Sequence, residues 1–515
     1  MSQSPFIHLH THSHFSLLQG LSKIPDLVNK AKEHNMDALA LTDYGSMYGI
    51  IDFYKTCKKN DIKPILGVDA YMAFRGMENK DHAIDNKRYP FTLLAYNNQG
   101  YKNLMKVVTQ SYTKGFYYRP RMDKELLKGY SEGLICMSGS IYGEVGQAIL
   151  TKNKQKALTL IQQYQDIFGK ENYYLEIMFN EHIDGLQELN ADIAELSRET
   201  GAPLVATHNS HYINPDDREA FDTLLGVSTS GNKVPSGFMK GAFHFTSSDE
   251  MLDLFEQYPE AIENTRIIAD RCNVEIDIDS WYFPDFPIPK GYDYDRALKE
   301  QTYARIPDRG MTESKEVVER IEYELGIITS KGYSSYFLIM ADLVQAAQKM
   351  GIYTNTRGSA AGSLVSYLNF ITKVDPLEMG LPFERFMNPG RKGIPDIDLD
   401  ISDIYRDKVI DYIRDTYGSK SVAQIGTFGT MAARGSVRDV ARALDYPYEI
   451  GDKIAKVIPM GSQGFPMTIA RALEDEEELM KMYKGDTDVK RIIDLAQKIE
   501  GCARHVSVHA AGVVI

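Results

Sequence analysis

The 515-residue sequence has no surplus of positive charge, no long apolar run and little cysteine. Its 58 lysines and arginines stand against 71 aspartates and glutamates, a net charge of −13. That excludes a protein coated in basic surface. It does not exclude a nucleic-acid enzyme, because a binding groove needs only a local positive strip. The balance favours work in company with divalent cations or basic subunits. No stretch approaches the roughly 20 apolar residues of a membrane span, and the first residues lack the basic and apolar parts of a signal peptide. The four cysteines, Cys57, Cys136, Cys272 and Cys502, are far apart and show no CxxC spacing. A structural zinc site or disulfide framework is thereby disfavoured, and a reducing cytoplasm fits. What is present, 43% hydrophobic and 25% charged residues, is ordinary globular composition. The length predicts about three domains, each with its own core.

The first half alternates short apolar strands with amphipathic helices. IHLH, ALALTDYG, KPILGVDAYMA, YYLEIMF and APLVATHNSHY read as strands; IPDLVNKAKEHN and EHIDGLQELNADIAELSRET read as helices. This pattern indicates an α/β fold, plausibly a barrel of parallel strands. Polar residues gather just after strand ends, at His10–His14, Asp43, Asp69 and His208–His211, where such folds carry their sites. The proline-rich stretch WYFPDFPIPKGYDYD (281–295) cannot be a continuous helix or a central strand, and marks a domain boundary. A second α/β region follows to about Met431, then a helical region with charged faces, in which the acidic run 474–478 reads as solvated. The closing HVSVHAAGVVI reads as a turn entering an apolar strand, which points to the front part of a longer polypeptide.

Two rows stand out. In FIHLHTHSHFS, His8, His10, His12 and His14 recur on alternate residues; in PDIDLDI, so do Asp396, Asp398 and Asp400. On a strand, each row shares one face. Same-face carboxylates sit ~7 Å apart at the backbone, and their side chains can converge on metal ions. Two Mg²⁺ about 4 Å apart can serve phosphoryl transfer. An acid-decorated edge strand remains the alternative. Upstream, small residues from Gly358 to Ser363 lead into a helix near Leu364, whose N–H groups could take phosphate, with simple helix capping as the alternative. Arg357, Arg385 and Arg391 add cations around this loop and the acidic strand.

The segments RGSAAGSLVSY, FERFMNP, PDIDLD, QIGTFGTMAARGSVRDVAR and HAAGVVI, in this order, resemble the alpha subunits of bacterial DNA polymerase III, the C-family polymerases. The resemblance covers the whole chain. It implies a nucleotidyltransferase palm of the polymerase beta type, a helical thumb, and DNA-templated DNA synthesis. Asp396 and Asp398 match catalytic metal ligands, and Asp400 a third acid that the family does not treat as essential. Gly362 and Ser363 match the pair that contacts the incoming triphosphate, and Arg385 matches a triphosphate-contacting arginine. Arg434, Arg438 and Arg442 resemble the basic side of the DNA cleft. Thr354-Asn355-Thr356 replaces the family's Gly-Pro-Gly before the loop. The family's third catalytic aspartate lies beyond Ile515, so the 515-residue chain itself is expected to lack primer extension.

HLHTHS resembles the first motif of the PHP domain, a distorted (β/α)7 barrel that begins these alpha subunits and holds a trinuclear metal site in active members. His10, His12 and His211 match ligands, Asp43 is retained, and Asp69 stands for a glutamate. Elsewhere the pattern fails: Gln19, Tyr44, Pro90, Ser140, Asn180 and Asn209 occupy ligand positions, with His182 and His208 near enough to compensate. Such residues supply little to a cluster of cations. The expectation is a structural and docking barrel with at most one weakly held ion, Zn²⁺ or Mn²⁺.

The sequence therefore predicts a multidomain α/β protein: PHP barrel over 1–275, palm over 276–432, helical thumb over 433–505, and a return to the palm over 506–515. Its substrates would be primer–template DNA and dNTPs, with two Mg²⁺ in the palm. Its partners would be replisome subunits: sliding clamp, clamp loader and proofreading exonuclease. The alternatives are a PHP phosphoesterase or 3′–5′ exonuclease, and a non-catalytic DNA-binding scaffold.

Overall fold

The structure is a computed structural model that describes residues 4–229, 241–388, 390, 393, 395–461 and 465–515. The fold is mixed α/β and divides into two compact units, residues 1–277 with 428–506, and residues 278–427 with 507–515.

The first unit is built on seven strands: β1 (Ala38–Leu41), β2 (Lys63–Ala73), β3 (Arg88–Ala95), β4 (Arg121–Met122), β5 (Leu134–Met137), β6 (Tyr173–Met178) and β7 (Leu204–Thr207). The order is β1-β2-β3-β5-β6-β7, with β4 against β2. β1–β2, β5–β6 and β6–β7 are parallel, but β3 runs antiparallel to both β2 and β5. The all-parallel expectation is corrected there. β2 and β3 are joined directly, with no crossover helix between them, so the chain returns as a hairpin does.

The histidine segment completes the ring. On one side Ala40 N–H donates to His8 O (2.9 Å) and Thr42 N–H to Thr11 O (2.9 Å); on the other His12 N–H donates to Ser210 O (2.8 Å), beyond β7. Apart from a single bridge, Thr11 to Ser210, this segment is not regular strand, which corrects the reading of IHLH. Ile7, Leu9, Ala40, Ile65, Ile135 and Val205 form an apolar cluster with Ile268 of the helix Pro259–Arg271. A larger cluster joins Leu66, Val68, Leu93 and Leu175 to residues of the flanking helices, such as Leu27, Phe53, Leu104 and Ile193. Strands buried on both faces need such cover.

The helices of residues 433–499 belong to the same unit. Phe221, Leu224 and Leu225 of the helix Arg218–Ser228 pack with Val437 and Val440 of Ala433–Ala443 and with Ile492 and Ile493 of Thr487–Ile499.

In the second unit the helices Tyr294–Ala304, Lys315–Ser330 and Ser334–Lys349 build a core with Leu364, Phe383, Phe386 and Ile397. β8 (Thr354–Arg357) pairs antiparallel with β9 (Asp398–Ile401), setting Arg357 opposite Asp398 and Asn355 opposite Asp400. β10 (Ala423–Thr430) pairs with β11 (Ala503–Val514). β11 is paired and largely exposed, where the sequence suggested a buried apolar strand. No helix among the described residues is long and apolar enough to cross a membrane.

Candidate functional site

Two polar constellations stand out, one in each unit. In the second unit, Asp396, Asp398 and Asp400 are exposed while Ile397 is buried in the apolar core, as alternation along an extended segment dictates. Arg357 Nε donates to Asp400 at 2.8 Å, and both side chains stay accessible. The next residue, Gly358, has φ +82°, and a Cβ there would lie 3.8 Å from Asp398 Oδ2. From the core side, Tyr336 hydrogen-bonds to the backbone of Ile397; burial, with the charges of Asp396 and Asp398, pushes its phenol up to about 12.

The phosphate loop differs from expectation. Gly358–Gly362 is a 3-10 turn, and the following helix, Leu364–Leu368, is a little over one turn long. Its N–H groups are not free. Leu364 N–H and Val365 N–H donate to the two oxygens of Glu324, each at 2.9 Å, and Ser363 Oγ donates to Glu324 at 2.8 Å. Ser363 and Glu324 are fully buried, and Gly362 is buried beside them. The reading of a vacant helix-terminal anion site is therefore corrected: a protein carboxylate already fills it. Arg385 is exposed at the end of the turn Phe383–Arg385, which Phe383 anchors in the core. Arg391 lies outside the described residues.

In the first unit, Arg434, Arg438 and Arg442 lie on one helix and all have internal partners. Arg434 Nε donates to Ile458 O (2.6 Å), Arg438 grips Asp452 through two nitrogens (3.1 and 2.9 Å), and Arg442 reaches Asp439 (2.8 Å).

The histidine row divides in the fold. His8 turns to Thr246 O (Nε2 at 2.9 Å) between Phe6 and Phe245, and His14 packs on Phe15. His10 and His12 converge with Asp69: His10 Nε2 is 3.2 Å and His12 Nε2 3.8 Å from Asp69 Oδ2. Among the described residues, His10, His12 and Asp69 form the one group of three converging His, Cys, Asp or Glu side chains that could hold a metal ion. His12 Nε2 and Asp69 Oδ1 are buried without hydrogen-bond partners, as groups awaiting a cation would be. The donor set fits a single ion with three protein ligands. Behind it, His10 Nδ1 meets Glu176 at 2.9 Å, the carboxylate–histidine arrangement that orients a metal ligand. Burial alone would lower the His10 pKa; Glu176 and Asp69 outweigh it and raise it to about 10, so without an ion the imidazolium offsets part of their charge.

His211 and Asp43 stand outside this group. His211 stacks on His12 at 4.3 Å, with Nδ1 2.7 Å from Gln19 O and Nε2 3.5 Å from the Tyr44 hydroxyl. Asp43 accepts from Ser13 N–H, Ser13 Oγ and Ser16 Oγ, all at 2.7 Å, and so fixes the turn after His12. Burial raises it to about 6. The cluster opens on a cavity of about 790 Å³ bordered by Gln19, Tyr44, Pro90 and Asn209, with Arg88 and Arg119 in its wall.

Residues 296–515 match the profile of the bacterial DNA polymerase III alpha NTPase domain, and residues 8–180 that of the PHP domain. Relatives named DNA polymerase III subunit alpha match the chain along its length. That of Borreliella burgdorferi is 40% identical over all of this chain and 45% of its own length; that of Aquifex aeolicus is 36% identical over 99% and 48%. That of Treponema pallidum is 37% identical over 100% and 44%. Along its whole length the chain is thus similar to bacterial DNA polymerase III alpha subunits, and it carries the PHP and alpha NTPase domains. It spans about half the length of the curated relatives it matches.

Sequence reasoning missed three members of these sites. Glu176 is a lone acid within the apolar strand YYLEIMF, and a charge in a strand buried on both faces was the available signal. Glu324 falls on the buried stripe of its helix with Val317, Ile321 and Ile328, although with Arg320 it reads as an ordinary i, i+4 surface pair. Tyr336 carried no signal beyond its place in an apolar helix.

Proposed function

We propose that the intact protein is a DNA-templated DNA polymerase of chromosome replication, transferring nucleotides from dNTPs to a primer 3′-hydroxyl. The observation that carries this reading is Asp396 and Asp398, exposed on an extended segment beside Arg357 and the Gly358 turn, in a chain similar to those subunits along its whole length. Asp396 and Asp398 would hold two Mg²⁺, which supply activation of the attacking oxygen and stabilisation of the leaving one. Arg357, Arg385, Arg391 and the turn of Gly362 and Ser363 would orient the triphosphate. Since Ser363 Oγ is committed to Glu324 and its N–H to Ala360 O (3.1 Å), its contribution would be to hold the shape of the turn. Arg434, Arg438 and Arg442 would face primer–template DNA, exchanging carboxylate for phosphate partners. The matching domain assignment is PHP 1–275, palm 276–432 with 506–515, and thumb 433–505. Cytoplasmic location and contacts with a sliding clamp, clamp loader and proofreading exonuclease go with this reading.

The barrel fits a subsidiary role. Three convergent ligands suit one Zn²⁺ or Mn²⁺, and Tyr44 and Gln19 sit where a larger cluster would need further donors. The barrel is thus a structural and docking domain. Comparing two substitutions in the intact gene product tests both statements. Asp398→Ala is expected to abolish primer extension with the fold intact by circular dichroism. His10→Ala is expected to lower the melting temperature while synthesis persists below it. Retained synthesis in Asp398→Ala would sink the polymerase reading.

A further inference from the structure

The pair of half-buried Arg320 and fully buried Glu324 lies behind the loop just described. Glu324 is fully buried, and its two oxygens accept four hydrogen bonds, from Arg320 Nε (2.6 Å), Leu364 N–H, Val365 N–H and Ser363 Oγ. Such a carboxylate has no capacity left for an outside ligand. Arg320 then spends Nη2 on two carbonyls, Gly362 O at 2.7 Å and Leu381 O at 3.0 Å. The guanidinium thereby bridges the turn that carries Gly362 and Ser363 to the segment that leads into Arg385. The two segments already touch: a Cβ on Gly362 would come within 2.7 Å of Pro382 O. A planar fork with fixed donors suits this bridging better than an ammonium does.

We propose that Arg320 and Glu324 are positioning residues for nucleotide binding: the pair sets the spacing between the Gly358–Gly362 turn, exposed at Gly358 and Ser359, and Arg385, the two groups that would meet one triphosphate. This rests on the polymerase reading above. The buried anion neutralises the helix terminus internally, so the triphosphate is left to the exposed side of the turn.

The test uses the intact gene product with Glu324→Gln, which keeps the shape but replaces one acceptor oxygen with an amide donor facing N–H groups. The expected result is a rise in the KM for dNTP of about tenfold or more, with kcat and primer–template affinity little changed. Hydrogen exchange at Leu364 and Val365 should be faster. Arg320→Lys, which keeps a cation for Glu324 but loses the fork, should raise the same KM, and it replaces Glu324→Gln should that variant not fold. A dNTP KM within about twofold of wild type in the folded variant overturns the proposal. So does a parallel loss of kcat, KM and DNA affinity that tracks the folded fraction. If wild-type protein extends no primer, the polymerase reading falls first. Extension by wild type with an unmoved KM in the variant removes this inference alone.

Discussion

Glu176 is a charged side chain with no exposed surface, in the middle of a strand that is otherwise apolar. It is tolerated because both of its oxygens are partnered: His10 Nδ1 and the Thr207 hydroxyl (2.6 Å) face one, and Gly139 N–H (3.0 Å) donates to the other. Removing one member of a buried charge network leaves the other uncompensated. Glu176→Ala is therefore expected to cost about 3–5 kcal/mol in chemical denaturation of the chain. It should also weaken Zn²⁺ binding, measured by calorimetry, by about 10–100-fold, since His10 loses the partner that orients it. The histidines themselves were easy to see in the sequence. Their grouping was not, because an alternating row implies a common face only where the strand continues. Here it gives way to a turn after His12, held by Asp43, and His8 and His14 find partners elsewhere.

At the level of elements, β8 and β9 form a short antiparallel pair that brings Arg357 beside the acidic row. The Arg357–Asp400 ion pair is exposed on both sides, 63% and 47%, so solvent screens it. Arg357→Ala should therefore change stability by no more than about 1 kcal/mol in thermal or urea unfolding. Any larger loss in primer extension would then report on the nucleotide and not on the fold. PDIDLDI was legible because alternation on a strand needs only local geometry. The anion loop was misread for the opposite reason. A Gly/Ser-rich turn before a helix announces free N–H groups, yet the acceptor that fills them is Glu324, 40 residues before Leu364 on the helix Lys315–Ser330.

On the scale of the whole molecule, the helices of residues 433–499 share a core with the barrel's helix Arg218–Ser228, within one compact unit. Leu224 lies at that seam with no exposure. Leu224→Ala should lower stability by about 2–5 kcal/mol. Limited proteolysis should then cut first within residues 433–499, where the helices would lose their seat. The opposite pattern, with cuts confined to the barrel strands, would show that those helices hold together without it. Residues so distant in the chain carry no pairing signal in one sequence, and the interface is apolar, so the helices read simply as amphipathic.

What the sequence determined by itself is whatever short-range periodicity and spacing encode. That includes the alternation of strands and helices in the barrel, the acidic strand, the proline break and the ordered motifs that carry the family resemblance. Only the tertiary structure decided which polar groups meet. It gave His10 to Glu176 and Asp69, the helix terminus at Leu364 to Glu324, and Arg438 and Arg442 to acids of their own unit. The reason is physical. A buried charge must find its counter-charge wherever packing brings one, and packing joins residues that a linear pattern cannot connect.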